Sequence, residues 1–98
     1  MIRHIVLFKL KDGLTREDPR VTAASDALAA LGPTLPPVLS WETHWCLGAR
    51  PVSHDFALIC DVADEAGLRA YLTDPEHQKV AAALYEVYTV SVGDFVLP

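Results

Sequence analysis

The stretch MIRHIVLFKLK, Met1 to Lys11, predicts a strand that is apolar on both faces, and this decides the fold. With period two, it sends Ile2, His4, Val6, Phe8 and Leu10 to one side of a sheet. Ile5 and Leu7, flanked by Arg3 and Lys9, go to the other. An antiparallel sheet commonly leaves one face to water, so a strand apolar on both needs a cover for each. Helices of the same chain can cover one face, and a second copy of the chain, in a homodimer, is the simplest cover for the other. His4 stands among Val6, Phe8 and Leu10, where its ring must find a hydrogen-bond partner. It is either a satisfied core histidine or a residue of a site.

The 98 residues make a single domain, 1–98, small enough for its stability to lean on oligomerisation. Hydrophobic residues at 51% are an excess for so small a surface and again predict a buried interface. A net charge of -5 argues against nucleic acid as a partner. No apolar run reaches the roughly 20 residues of a membrane span, and strand-like residues begin at Ile2 where a signal peptide would lie. The expectation is a cytoplasmic protein that binds neither membrane nor nucleic acid. Cys46 and Cys60 lack the spacing of a metal knuckle or redox motif and are expected to be free thiols.

Lys11 to Gly13 reads as a turn, and Thr15 or Asp18 can cap a helix that tolerates Pro19 in its first turn. Val21, Ala24, Leu28 and Leu31 form its buried stripe, with Arg20, Ser25 and Asp26 facing water and Gly32 ending it. Gly32 to Pro37, with three prolines, is an irregular connector. Val38 to Leu47 predicts a strand that buries Leu39, Trp41, Thr43, Trp45 and Leu47 on one face. A loop over Gly48 to His54 joins it to a third strand, Asp55 to Val62, with Cys46 opposite roughly Phe56. Asp64 can cap a second helix carrying Leu68, Tyr71 and Leu72 on one face, and Asp74 with Pro75 restarts the helix in a new direction. Val80, Leu84 and Val87 continue the apolar stripe. The last strand runs from Tyr88 to Val92, or to Leu97 with a kink at Gly93. The order βαββαβ predicts an α+β, ferredoxin-like fold: a four-stranded antiparallel sheet, first and third strands central, both helical regions on one face.

The opening RHIVLFKLKDG at Arg3 to Gly13, SWE at Ser40 to Glu42, LRAYLTDPEH at Leu68 to His77 and DF at Asp94 and Phe95 together resemble the stress-responsive α/β-barrel (Dabb) family. The resemblance covers essentially the whole chain and implies a homodimer in which two sheets face each other as a barrel. Its best understood members are polyketide cyclases of the olivetolic acid cyclase type, whose intramolecular aldol chemistry uses a tyrosine and a histidine between sheet and helices. Carried over, the first-strand histidine is His4, the helical tyrosine is Tyr71 and the histidine after the proline turn is His77. Two positions depart from that pattern. A further pocket histidine falls on Leu58, and the usual HPxH is here Asp74, Pro75, Glu76, His77.

His77 lies in the first turn of a helix, whose positive end disfavours a protonated ring and so suits it to act as a base. Otherwise it merely packs or caps. Tyr71 either holds a carbonyl oxygen as it gains negative charge or is a core tyrosine with its hydroxyl at the surface. His4 either joins them or is a core histidine bonded to a backbone carbonyl or to Asp94, which an antiparallel last strand brings close. Val6, Phe8, Leu58 and Asp94 are the expected ligand-lining residues. Glu42 and His44 share a strand face without a third ligand, so no metal is expected, and no cofactor. Three readings follow. One is a cofactor-independent cyclase or other lyase acting on a small, oxygenated, largely apolar molecule. The second is a non-catalytic homodimer or ligand-binding protein, and the third a cofactor-free monooxygenase. An open cavity joining the three side chains favours chemistry, whereas one filled by Phe8, Phe56 and Leu58 favours a structural role.

Overall fold

A computed structural model describes residues 1–98. It has β1 (Ile2–Leu10), α1 (Pro19–Leu31), a 3-10 turn (Gly32–Thr34), β2 (Val38–Trp45), β3 (Phe56–Val62), α2 (Glu65–Leu72), α3 (Pro75–Val87) and β4 (Tyr88–Val96). The four strands form one antiparallel sheet in the order β2-β3-β1-β4, so β1 and β3 are central as predicted. On the helix-covered face Ile2, His4, Val6 and Phe8 alternate with Phe56, Leu58, Cys60 and Val62 of β3, all buried. From above, α1 adds Val21, Ala24, Leu28 and Leu31, and the second helical region adds Tyr71, Leu84 and Val87.

The opposite sheet face has no cover within the chain. Ile5, Leu7, Ala57 and Ile59 lie half-buried there beside a bidentate ion pair between Arg3 and Asp61, 2.9 and 3.1 Å. The arginine holds the Asp61 carboxyl below its usual range. Glu42 and His44 share this face and bond each other at 2.9 Å. No group of acidic, histidine and cysteine side chains has the makings of a metal site.

Caps set the helix starts. Asp18 accepts from the backbone N–H of Arg20, Asp64 from that of Gly67, and Asp74 from those of Glu76 and His77. Pro75 follows Asp74 directly, which is why α2 and α3 are separate helices.

Several expectations are corrected. Ser25, expected to face water, is buried and bonds the Tyr88 hydroxyl at 2.7 Å. The predicted irregular connector begins with a 3-10 turn at Gly32–Thr34. Gly32 leaves α1 with φ -50°, not in the left-handed region, and it is needed for another reason: a Cβ there would lie 2.1 Å from Trp41 Cγ. The second strand stops at Trp45, and a register shift between Val38 and Ser40 takes Leu39 out of the alternation. Leu39 and Leu47 are therefore exposed, and only Trp41, Thr43 and Trp45 are half-buried on the helix side. Both tryptophans thus pack within the protomer. The third strand starts at Phe56, which pairs with Trp45, and the N–H of Cys46 donates to Asp55 O at 2.9 Å. Cys46 and Cys60 are free, as predicted. β4 continues through Gly93 to Val96. Lys9 and Lys11 donate to the carbonyls of Ser53 and Tyr85. No helix is long and apolar enough to cross a membrane.

Candidate functional site

The elements meet at a cavity of about 120 Å³ between the sheet and the second helical region. Its floor is His4, Val6 and Phe8 of β1, Leu58 of β3, and Val90, Val92 and Asp94 of β4. These point the same way because β1 and β4 pair His4 with Asp94 and Val6 with Val92, while β3 sets Leu58 opposite Val6. Its roof is Tyr71 and Leu72 of α2 with His77, Ala81, Leu84 and Tyr85 of α3, and Leu28 of α1 closes it from the side. On α3, His77, Ala81, Leu84 and Tyr85 stand at i, i+4, i+7 and i+8, one helical face. Phe56 is not part of the wall: it packs against Trp45 and Tyr88.

Three polar rings converge in this apolar enclosure. Tyr71 lies between the others, 5.3 Å from His4 and 4.4 Å from His77 by ring centroids. Trp41 holds it from a third side, edge-on at 5.8 Å, and is itself fixed by donating from Nε1 to Leu28 O at 3.1 Å. His4 Nδ1 and Asp94 Oδ1 are 2.5 Å apart. A carboxylate accepts, so the Nδ1 hydrogen points to Asp94 and Nε2 is left without a protein partner. At His77 the Nδ1 lies 3.3 Å from Leu72 O, a carbonyl that can only accept, which likewise assigns the hydrogen to Nδ1. Burial pushes the His77 pKa down, outweighing the Leu72 bond that raises it, and nearby His4 lowers it further. The ring is therefore neutral near pH 7, with a free lone pair on Nε2. Tyr71 is 1% exposed and its hydroxyl bonds no protein group, yet no sealed polar side-chain atom lacks a partner. Tyr71 is one of the residues that line the cavity. Burial, then the neighbourhood of Cys60 and Asp94, pushes its pKa far up, so it stays a phenol and a donor.

Of the residues read from the sequence, His4, Tyr71, His77, Val6, Phe8, Leu58 and Asp94 all line this one cavity. Sequence reasoning missed Leu28, Leu72, Ala81, Leu84, Tyr85, Val90 and Val92 as lining residues. The signal that could have found the α3 members is their helical spacing from His77, and for Val90 and Val92 their strand spacing from Asp94. Trp41, which braces Tyr71, carries no sign of that role in the sequence beyond its place on the buried face of the strand.

Chemically, the cavity offers the buried Tyr71 phenol as a donor, a lone pair on His77 Nε2 and one carboxylate near its mouth, within largely apolar walls, with the Tyr85 phenol at the rim. Such a set can move a proton and steady an oxyanion without any bound group.

Residues 2–97 match the family described as the stress responsive A/B barrel domain, Dabb. An uncharacterized protein of Streptomyces coelicolor, SCO4036, is 42% identical over 95 residues, 97% of this chain and 98% of that protein. A dimeric ferredoxin-like protein of unknown function from Thermobifida fusca is similar in structure, with TM-score 0.84 and 30% identity over 98% of this chain and 90% of that one. A hydroxynitrile lyase from Passiflora edulis shares the fold at TM-score 0.83 and 17% identity, over 99% and 93% of the two chains. The family match spans nearly the whole chain, and the chain belongs to the stress responsive A/B barrel domain (Dabb) family.

Proposed function

We propose that the protein is a homodimeric, cofactor-independent enzyme of the cyclase or lyase kind, which removes a proton next to a carbonyl of a small, largely apolar, oxygenated molecule. The observation that carries this reading is the convergence of Tyr71, His77 and His4 on one apolar cavity, each with a polar atom the protein itself leaves unused. In it, His77 Nε2 takes the proton from the carbon while the Tyr71 hydroxyl donates to the oxygen that becomes the enolate. The lowered pKa keeps His77 in its basic form at neutral pH, and the raised one keeps Tyr71 protonated. His4, held by Asp94, lines and orients the pocket. That a lyase occurs on this fold supports the reading at the level of fold only. The homodimer rests on the uncovered face with Ile5, Leu7 and Ile59 and on dimeric structural relatives. Two unpaired thiols fit a reducing, cytoplasmic compartment.

The experiment is deuterium exchange. In heavy water at pH 7.5 the methyl protons of acetophenone, followed by proton NMR, are expected to exchange faster with the protein than without it. His77 Nε2 takes a methyl proton, the enolate forms against Tyr71, and a deuteron returns to the carbon, so nothing else is consumed. His77→Ala is expected to abolish the acceleration and Tyr71→Phe to reduce it by roughly 10²- to 10³-fold, the scale of one lost oxyanion donor. Acceleration that survives His77→Ala refutes the assigned base. No acceleration with the wild type refutes the catalytic reading and leaves a non-catalytic dimer.

A further inference from the structure

We propose, taking this cavity as the ligand site, that it selects a neutral molecule built on a single six-membered ring, and that Ala81 is the residue that makes room for the ring. The size follows from the volume. The cavity holds about 120 Å³, somewhat less than the roughly 150 Å³ apolar cavity that encloses benzene whole, which sets one ring open to the rim as the upper limit. One ring fits, with a short substituent directed at Tyr71 and His77. Any longer portion has to leave past the exposed rim, where Tyr85 and Val92 are each 55% exposed.

Ala81 is singled out because it alone among the lining residues has no atom beyond Cβ. It sits one helical turn after His77, on the same face of α3. A longer side chain there occupies the space beside the His77 ring. Unlike Leu84 or Leu28, Ala81 is not one of the buried core residues, so changing it alters the cavity before it alters the core.

The charge preference follows from what the walls lack. No lysine or arginine lines the cavity, the Asp94 carboxylate stands at its rim, and the ring of His77 is uncharged. A carboxylate entering this space gives up water without gaining a cation. A ketone or aldehyde oxygen needs only the one donor that Tyr71 supplies.

The test measures binding and does not depend on turnover. Wild-type protein is titrated at pH 7.5 with acetophenone and separately with benzoate, by calorimetry and by NMR of the histidine ring signals. Acetophenone is expected to bind and to shift the signals of His77 and His4, with benzoate at least ~100-fold weaker. Ala81→Phe and Ala81→Leu, with thermal melts to verify the fold, are expected to weaken acetophenone more than ~10-fold, whereas Ala81→Ser retains it. Benzoate binding as tightly as acetophenone overturns the charge preference, and this comparison needs no variant. Undiminished acetophenone binding by folded Ala81→Phe overturns the role of Ala81. Failure of acetophenone to bind the wild type overturns the ligand class. Binding that depends on Ala81, without deuterium exchange, upholds this inference and sinks only the catalytic one.

Discussion

Replacing Gly32 with Ala is expected to destabilise the fold by about 2–4 kcal/mol and to loosen the site from a distance. The added Cβ lies 2.1 Å from Trp41 Cγ, 2.4 Å from Cδ2 and 2.6 Å from Cβ. Those contacts are with a large ring and its stem, so the indole has to move bodily. Overpacking of this kind costs roughly 1–3 kcal/mol. Displacement also strains the bond from Trp41 Nε1 to Leu28 O, about 1 kcal/mol net, and the edge contact with Tyr71, about 0.5–1.5 kcal/mol. Against these stands a gain of roughly 0.4–1 kcal/mol, because Ala restricts the unfolded chain and φ -50°, ψ -51° suits it. For a chain of this length each kcal/mol lowers Tm by roughly 4–8 °C. Urea unfolding is the assay, with a lower midpoint and an unchanged slope expected. The control is Gly67→Ala in α2, where the nearest atom to a new Cβ is Asp64 Oδ1 at 3.4 Å and helix propensity favours Ala by up to ~1 kcal/mol. The cause is isolated by a double-mutant cycle: in a Trp41→Ala background, which removes the ring but keeps the Cβ 2.6 Å from the new one, Gly32→Ala should cost clearly less than in the wild type. A midpoint that does not fall in the single variant, or falls equally in that background, refutes the steric account.

Light scattering is expected to give twice the 10.7 kDa chain mass, and Leu7→Glu, which sets an unpaired charge in the uncovered face, to give the chain mass or an unfolded protein; a folded dimer would place the interface elsewhere. An aromatic disulfide reagent at pH 8 should label Cys46 quickly and Cys60 only after unfolding, since Cys60 is sealed and its thiol is pushed up to about 12 by burial and then by Asp61 and Asp94; equal native rates would contradict that burial. His77, lowered from 6.5, binds fewer protons folded than unfolded, so the stability it carries is complete above pH 6.5 and drains away as the pH falls from there towards the folded value; correspondingly, the acid limb of acetophenone exchange should lie below pH 6.5, and a limb above it would contradict a neutral His77.

Where the fold was legible, its determinants lie close together in the chain. The two apolar faces of β1, the caps at Asp18, Asp64 and Asp74, and the break at Pro75 all act within a few residues of themselves. Local patterns therefore place them. The errors have a common origin in partners distant along the chain. Ser25 is polar at a helix position that reads as solvent-facing, and only Tyr88, 63 residues on, makes it a core residue. Leu39 follows the alternation of Trp41 and Trp45 until the register shift removes it, and that shift belongs to the pairing of β2 with β3. Gly32 reads as a helix-ending glycine, yet what requires it is the Trp41 ring crossing its backbone.

The candidate site divides along the same line. His4 and Asp94 could be paired in advance because antiparallel pairing of the first and last strands sets them opposite one another. Tyr71 and His77 could be joined because a proline break lets two helices present side chains to one space. The space itself had no signature. Leu28, Leu84 and Ala81 are residue types equally at home in a filled core, and whether they enclose a void depends on how α1 and α3 pack, a sum over the whole roof. A polar residue in an apolar stretch therefore marks where chemistry is possible, while the molecule the chemistry can reach is set by the apolar residues around it. Ala81 is the place where those two meet: one turn from the proposed base, it carries no polar atom to draw attention, and by leaving its space empty it determines what can stand beside His77.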